Sequence, residues 1–316
     1  MSLQQAEIKI KEIELELLKL EDLKIQGIDI DGTRSELMKS KQKILDEAYG
    51  TMNAYDRVYL ARHVGRPNVK EYIQDIFDDF IEIHGDRLYR DDASIYGGIA
   101  LFNDMPVTVI GTVKGKSVEE NVQCNFGMAS PEGYRKALRL MKQAEKFNRP
   151  IITFVDTPGA YPGIKAEKHG QGEAIARSIM EMSMLSVPII SIVIGEGGSG
   201  GALALSVANR IVMLENAVYS VLSPEGFASI LYKDSSKAKE ASELMKITAK
   251  DLYDLHIVDA IIKEPVGGIQ NNKELVFLQI KQYLESELKE LTKKRKSQIL
   301  DERYHKFREI GNGFEE

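Results

Sequence analysis

Cysteine is nearly absent from this chain. Cys124 is the single one among 316 residues, which excludes an internal disulfide framework and a cysteine-based zinc site. Histidine is also scarce. His63, His84, His169, His256 and His305 lie scattered, no pair has the spacing of metal ligands, and no metal is expected on this chain. Long apolar runs are missing as well. The stretch "MSLQQAEIKIKEIELELLKLEDL" mixes charge with apolar residues throughout and holds neither a signal-peptide core nor a membrane span. A cytoplasmic or comparable reducing compartment is therefore expected, with no membrane partner. Positive charge is not in excess either: the formal net charge is −6, so no overall basic field recruits nucleic acid. The basic cluster "KKRK" at 293–296 lies in a Glu/Lys-rich helical tail and reads as a solvated helix face.

What is present is a soluble globular balance, 43% hydrophobic and 28% charged, with ample material for a core. Residues 4–24, 31–52 and 69–83 read as helices leading into a domain. Two β runs around Asn103 and Asp104 then give a hairpin signal. "SPEGYRKALRLMKQAEKF" reads as a helix with Ser130 at its N-cap and Pro131 in its first turn. "RPIITFVDT" and "VPIISIVIG" read as strands buried on both faces, with a helix over 172–186 between them. A further strand spans 210–222, and a second "SPEG" at 223–226 opens another capped helix. From Lys273 a long charged helix runs to Lys296. Strand, loop and helix alternate, so the expected fold class is α/β with parallel pairing and right-handed crossovers. No linker divides the chain: one domain over 54–268 is expected, with helical arms at 1–53 and 269–316.

The densest feature is "IVIGEGGSGGALALSVANR", with five glycines in the seven positions from Gly195 to Gly201. Several chemistries compete for it. Gly195, Gly197 and Gly200 match the dinucleotide fingerprint, with Glu215 as the ribose-binding acid, although the following helix, about nine residues long, is short for that role. Residues 197–201 also match the nucleophile elbow around Ser199, for which Asp251 with His256 or His305 would complete a hydrolase triad. "GTVKGKS" at 111–117 falls one residue short of a phosphate-binding loop. A tight turn serving only helix–sheet packing is the plainest alternative. A further reading uses the backbone alone: bare N–H groups at a helix start form an anion hole, and glycine lets a flat substrate approach the main chain. The preceding loop, "DTPGAYPG" at 156–163, leaves the carboxyl end of the adjacent strand, where ligand crevices form.

Longer stretches carry a resemblance. "NFGMASPEGYRKALRLMKQAEKFNRPIITFVDTPGAYPG", "GQGEAIARSIMEMSMLSVPIISIVIGEGGSGGALALSVA" and "YSVLSPEGFASILYKD" closely resemble the family of bacterial acetyl-CoA carboxylase carboxyltransferase α subunits. "RVYLARHVGRPNVKEYI", "IEIHGDRLYRDDASIYGGIA" and "LHIVDAIIKEPVGG" are similar to the same family, so that the match runs from about Ala54 to Gly268. Phe227 departs from it, since many relatives carry a smaller residue after SPEG.

The resemblance implies a crotonase-like fold of repeated ββα units. It implies a partner β subunit carrying zinc, an α2β2 heterotetramer, a biotin carboxyl carrier protein that delivers carboxybiotin, and biotin carboxylase in the full complex. The implied reaction passes a carboxyl group from carboxybiotin to acetyl-CoA, giving malonyl-CoA, the first committed step of fatty acid synthesis. The implied oxyanion hole for the biotin ureido oxygen is the pair of N–H groups of Gly200 and Gly201. Gly197 and Gly198 would shape the approach, with Pro158, Gly159, Tyr161, Pro162 and Gly163 as a neighbouring wall. A serine hydrolase built on Ser199 and a noncatalytic scaffold subunit are the rival expectations.

Overall fold

The computed structural model describes residues 2–25 and 29–312. Contacts divide the chain into two compact units, one ending at Asp56 and one beginning at Arg57. In the first, α1 (Leu3–Ile25) and α2 (Asp31–Tyr49) form an antiparallel pair, with Lys41 bonded to Glu14 at 2.6 Å and Arg34 at 3.6 Å from Glu21. The second helix stops at Tyr49, short of the expected residue 52, with Gly50 as its C-cap. Large apolar side chains stay exposed on α1, Leu15 at 51%, Leu18 at 64% and Ile25 at 85% among them.

The second unit is built on one eight-stranded sheet. α3 (Ala54–Ala61) and α4 (Val69–Ile76) precede it, and Asn68 and Glu71 close a capping box on α4. The helix expected over 69–83 ends at Ile76, where Phe77 turns extended, and the residues after it form β1 (Asp78–Glu82). β2 (Ile95–Phe102) and β3 (Met105–Thr112) form the expected hairpin. Its two-residue turn has positive φ at Asn103 and Asp104, the backbone that such a turn requires.

After α5 (Val118–Gln123) the chain enters α6 (Pro131–Lys146), then β4 (Ile151–Thr157), α7 (Ile164–Lys168), α8 (Gln171–Met184) and β5 (Ile189–Gly198). β3, β4 and β5 pair in parallel, and every residue of β4 and β5 is buried, as their apolar runs imply. The two SPEG helix starts differ. Ser223 caps α10 (Pro224–Leu231) through Gly226 N–H at 3.1 Å, whereas Ser130 makes no side-chain cap and donates its own N–H to Asp92 at 2.7 Å.

The stretch expected as one strand over 210–222 is two. β6 (Arg210–Leu214) pairs with the first half of β5, and β7 (Val218–Ser220) with its last three residues. α9 (Ser199–Leu203) precedes them; α11 (Ala238–Met245), α12 (Ala249–Asp254) and the edge strand β8 (Ala260–Ile262) follow α10.

The C-terminal segment departs from expectation. The helix expected over 273–296 ends at Leu291, and 292–295 form the turn into a second helix. Lys294 in that turn is paired with Glu290 and Glu302, each at 2.7 Å. In α13 (Lys273–Leu291) the apolar stripe Val276, Phe277, Ile280, Leu284, Leu288 and Leu291 belongs to the main core, so this helix is part of the domain rather than an arm beyond it. α14 (Lys296–Glu309) is held by Arg303, almost fully buried, which donates to the carbonyls of Met182, Leu185 and Val187 and to Asn209. It closes the exposed carbonyl end of α8. Burial without a carboxylate partner in contact pulls its pKa down to about 10.

Candidate active site at the carboxyl end of β5

The glycine segment is half strand and half helix. Gly195, Gly197 and Gly198 complete β5, and the chain turns at Ser199, whose φ of +54° is a left-handed backbone on an exposed residue. α9 begins there. Gly200 and Gly201 are its second and third residues, so their N–H groups have no acceptor inside the helix. Five residues of helix carry only a small macrodipole, so the local donors rather than the helix dipole supply the positive potential.

Four of the five glycines are explained by packing. A Cβ on Gly195 would lie 2.4 Å from Asp156 Oδ1, and on Gly197 2.8 Å from the Tyr219 ring. On Gly198 it would lie 2.2 Å from the Pro158 carbonyl oxygen, and on Gly201 2.7 Å from Ala160 N. The tight-turn reading therefore holds at these positions. Gly200 differs: its nearest neighbour would be Ile175 Cγ2 at 3.4 Å, an ordinary contact, and the residue is half exposed. Gly200 is thus the one of these five whose bare main chain the packing does not require, and bare, half-exposed main chain is what a flat ligand needs.

The wall expected beside the glycines is partly there. Thr157 Oγ1 donates to the Gly159 carbonyl at 2.7 Å and accepts the Gly159 N–H at 3.1 Å, which fixes the first Pro-Gly turn to the end of β4. Pro158 and Gly159 touch the positions of Gly198 and Gly201. Tyr161 donates its N–H to the Ala129 carbonyl at 3.0 Å, and Gln171 bonds both Ala129 and Tyr161 carbonyls at 2.9 Å. Pro162 is exposed, and Gly163 packs under the Tyr161 ring at the start of α7.

An unexpected charged network lies where β4, β5 and β7 meet. Lys114 bonds Asp156 at 2.7 Å and Glu196 at 2.8 Å, while Arg62 bonds Glu196 at 2.6 Å and Glu225 at 2.7 Å. Burial alone would lower the Lys114 pKa and raise that of Glu196. The opposite charges prevail, so Lys114 is raised and Glu196 lowered, and both are ionised at neutral pH. Below them Arg66 makes a bidentate pair with Glu264, both bonds 2.9 Å, and donates to the Ile194 carbonyl at 2.7 Å. The sequence did carry a signal for this network: a glutamate among glycines and an aspartate ending an apolar strand.

The rival sites do not assemble. Asp251 is occupied in the capping box of α12 with Thr248. His256 and His305 line a cavity of about 620 Å³ with Asn209 and Arg210, where β5 and β6 start. At ~3.3 Å per residue, the ten residues of β5 put this roughly 30 Å from Ser199. For the dinucleotide reading, the helix is five residues instead of about nine, and the Glu215 carboxylate is engaged by Lys263 and by Glu264 N–H. Among the described residues no group of three or more His, Cys, Asp or Glu is placed to hold a metal, and no helix is long and apolar enough to cross a membrane.

Known proteins decide the family. Residues 3–311 match the family described as "Acetyl co-enzyme A carboxylase carboxyltransferase-like". The chain belongs to that family. It is 59% identical over 264 residues to the acetyl-coenzyme A carboxylase carboxyl transferase subunit alpha of Clostridium acetobutylicum, covering 84% of this chain and 96% of that one. To the protein of the same name in Staphylococcus haemolyticus it is 56% identical over 275 residues, 87% of each chain.

Solved carboxyltransferases show the crotonase-like fold that the resemblance implied. The beta subunit of Pseudomonas aeruginosa geranyl-CoA carboxylase superposes with a TM-score of 0.56 at 14% identity, over 77% of this chain and 46% of that chain. A Pseudomonas malonate decarboxylase hetero-tetramer in complex with coenzyme A gives 0.56 at 16% identity, over 67% of this chain and 85% of that one. The 12S transcarboxylase gives 0.55 at 20% identity, over 73% of this chain; this chain spans less than half of the transcarboxylase and geranyl-CoA carboxylase chains.

Proposed function

We propose that this family member forms the biotin-side half of an acetyl-CoA carboxyltransferase, completed by a zinc-bearing β subunit in an α2β2 complex. A separate biotin carboxyl carrier protein charged by biotin carboxylase delivers the carboxyl group, acetyl-CoA receives it as malonyl-CoA, and the complex works in the cytoplasm. The observation that carries the site is Gly200. It alone among the five glycines is left unexplained by packing, and it stands next to N–H groups without a helical acceptor.

Carboxybiotin supplies the transferable carboxyl group and, after its release, a basic ureido nitrogen. This chain's residues hold charge and exclude water. The N–H groups of Gly200 and Gly201 take the negative charge that gathers on the ureido oxygen, at on the order of 3 kcal/mol per well-placed donor in a dry site. Gly197 and Gly198 keep the strand end bare. Pro158, Gly159, Tyr161, Pro162 and Gly163 form the wall beside it. No side chain need act as acid or base, consistent with the scattered triad candidates.

Gly201→Val is a poor test, because its side chain would strike the backbone of residues 159 and 160. Gly200→Ala keeps the N–H, adds a methyl that the packing accepts in contact with Ile175, and suits a helix, where alanine is favoured over glycine by about 1 kcal/mol. With the β subunit present, Gly200→Ala is expected to keep the parental melting temperature and to lose roughly tenfold or more in transfer rate. Parental turnover in that variant would refute the assignment. Ser199→Ala is expected to keep its activity, and the parent to resist fluorophosphonate labelling.

A further inference from the structure

β5 does not run straight into the glycine turn. Val193 faces Val155, but the next pair along is Gly197 with Thr157, so four steps on β5 oppose two on β4. The extra residues form a bulge at which β5 leaves β6 and pairs with β7. Bulges re-aim a strand and break its ladder, and the interrupted backbone groups need other partners. Two side chains provide them: Arg66 donates to the Ile194 carbonyl, and Asp156 Oδ1 accepts the Glu196 N–H at 2.9 Å. The same oxygen of Asp156 takes the Lys114 ammonium at 2.7 Å and lies where a side chain on Gly195 would stand. Asp156 thus replaces a missing ladder bond one residue before the turn begins.

We propose that Asp156 is a positioning residue: its carboxylate, held by Lys114, sets the bulge that aims the 197–201 turn at its ligand. This rests on the reading of Gly200 and Gly201 as a donor pair, since a misplacement of about 1 Å at such a pair can cost about a hundredfold in rate. Asparagine retains an oxygen able to take both bonds. Alanine retains none.

The test uses the assembled complex and measures kcat, KM for acetyl-CoA, and amide hydrogen exchange at 196–198, for Asp156→Asn and Asp156→Ala. Asp156→Ala is expected to speed exchange at 196–198, where the Glu196 N–H loses its acceptor, about tenfold while β4 stays parental, and to lower kcat about 30-fold with KM within about threefold. Asp156→Asn is expected to recover kcat to within about threefold of the parent. Should Asp156→Ala fail to fold, Lys114→Met leaves the carboxylates of Asp156 and Glu196 facing each other and is expected to speed exchange over the same three residues. Unchanged exchange in the variant that folds, or an asparagine variant as impaired as the alanine one, would overturn the inference. Faster exchange with parental kcat would support the positioning role and reject the donor-pair reading.

Discussion

At the scale of single residues, Gly195 and Gly200 make opposite demands. Asp156 occupies the space where a Gly195 side chain would stand, so Gly195→Ala over-packs the site and is expected to cost about 1–3 kcal/mol by denaturant unfolding. Adding Asp156→Ala removes the obstructing carboxylate, and the two changes should couple favourably in a double-mutant cycle. Strict additivity would mean that Asp156 and Gly195 do not compete for that space. Titration is decided at this scale as well. Burial would raise the Asp91 pKa, but bonds from Lys136, Gly85 N–H and His84 outweigh it and hold the carboxyl at about 2. A folded pKa below the unfolded one stabilises the fold above about pH 4, and the gain is lost as pH falls from there towards 2. Asp91→Asn should flatten the fall in melting temperature between pH 4 and pH 2. An unchanged acid limb would place its cause elsewhere.

At the scale of elements, the bulged strand is the unit to explain. Arg66 and Glu264 are buried together, and Arg66 also bonds the Ile194 carbonyl in the bulge. Arg66→Met strands a buried carboxylate and is expected to cost about 3–5 kcal/mol, with part recovered by adding Glu264→Gln. A loss below 1 kcal/mol on unfolding would show the pair to be dispensable. Periodicity and capping made most elements legible: the Asn103–Asp104 hairpin, the buried runs of β4 and β5, and the SPEG helix starts. They failed where long-range contacts decide. Nothing local to 69–83 reveals that its second half joins the edge of β2, nor that 218–220 pairs with a strand already bulged. The glycine turn and its Pro-Gly neighbour could be read from sequence because their backbone needs are local. Of the Lys114–Asp156–Glu196–Arg62 network only the two carboxylates stand out in the sequence; that Lys114 and Arg62 pair with them could not be read, because the four come together only in the folded sheet.

At the scale of the molecule, the two ends of the chain behave differently. The apolar stripe of α13 is core, whereas α1 keeps Leu15, Leu18 and Ile25 exposed on an arm that a lone domain has little reason to build. We therefore propose that residues 4–24 serve subunit assembly. Deleting residues 1–30 should reduce the size of the complex in light scattering; an unaltered size would count against the arm. The isolated chain should be inactive and should gain transfer activity with the β subunit, whereas a scaffold would leave the partner's own rate unchanged.

The claim beneath all of this is that main-chain donors do the work usually given to side chains. A crystal structure of the complex with a biotin-bearing carrier or biotin itself tests it most directly. The account predicts the ureido oxygen within about 3 Å of the Gly200 and Gly201 nitrogens. A ring bound elsewhere, with those nitrogens facing only solvent or protein, would contradict it.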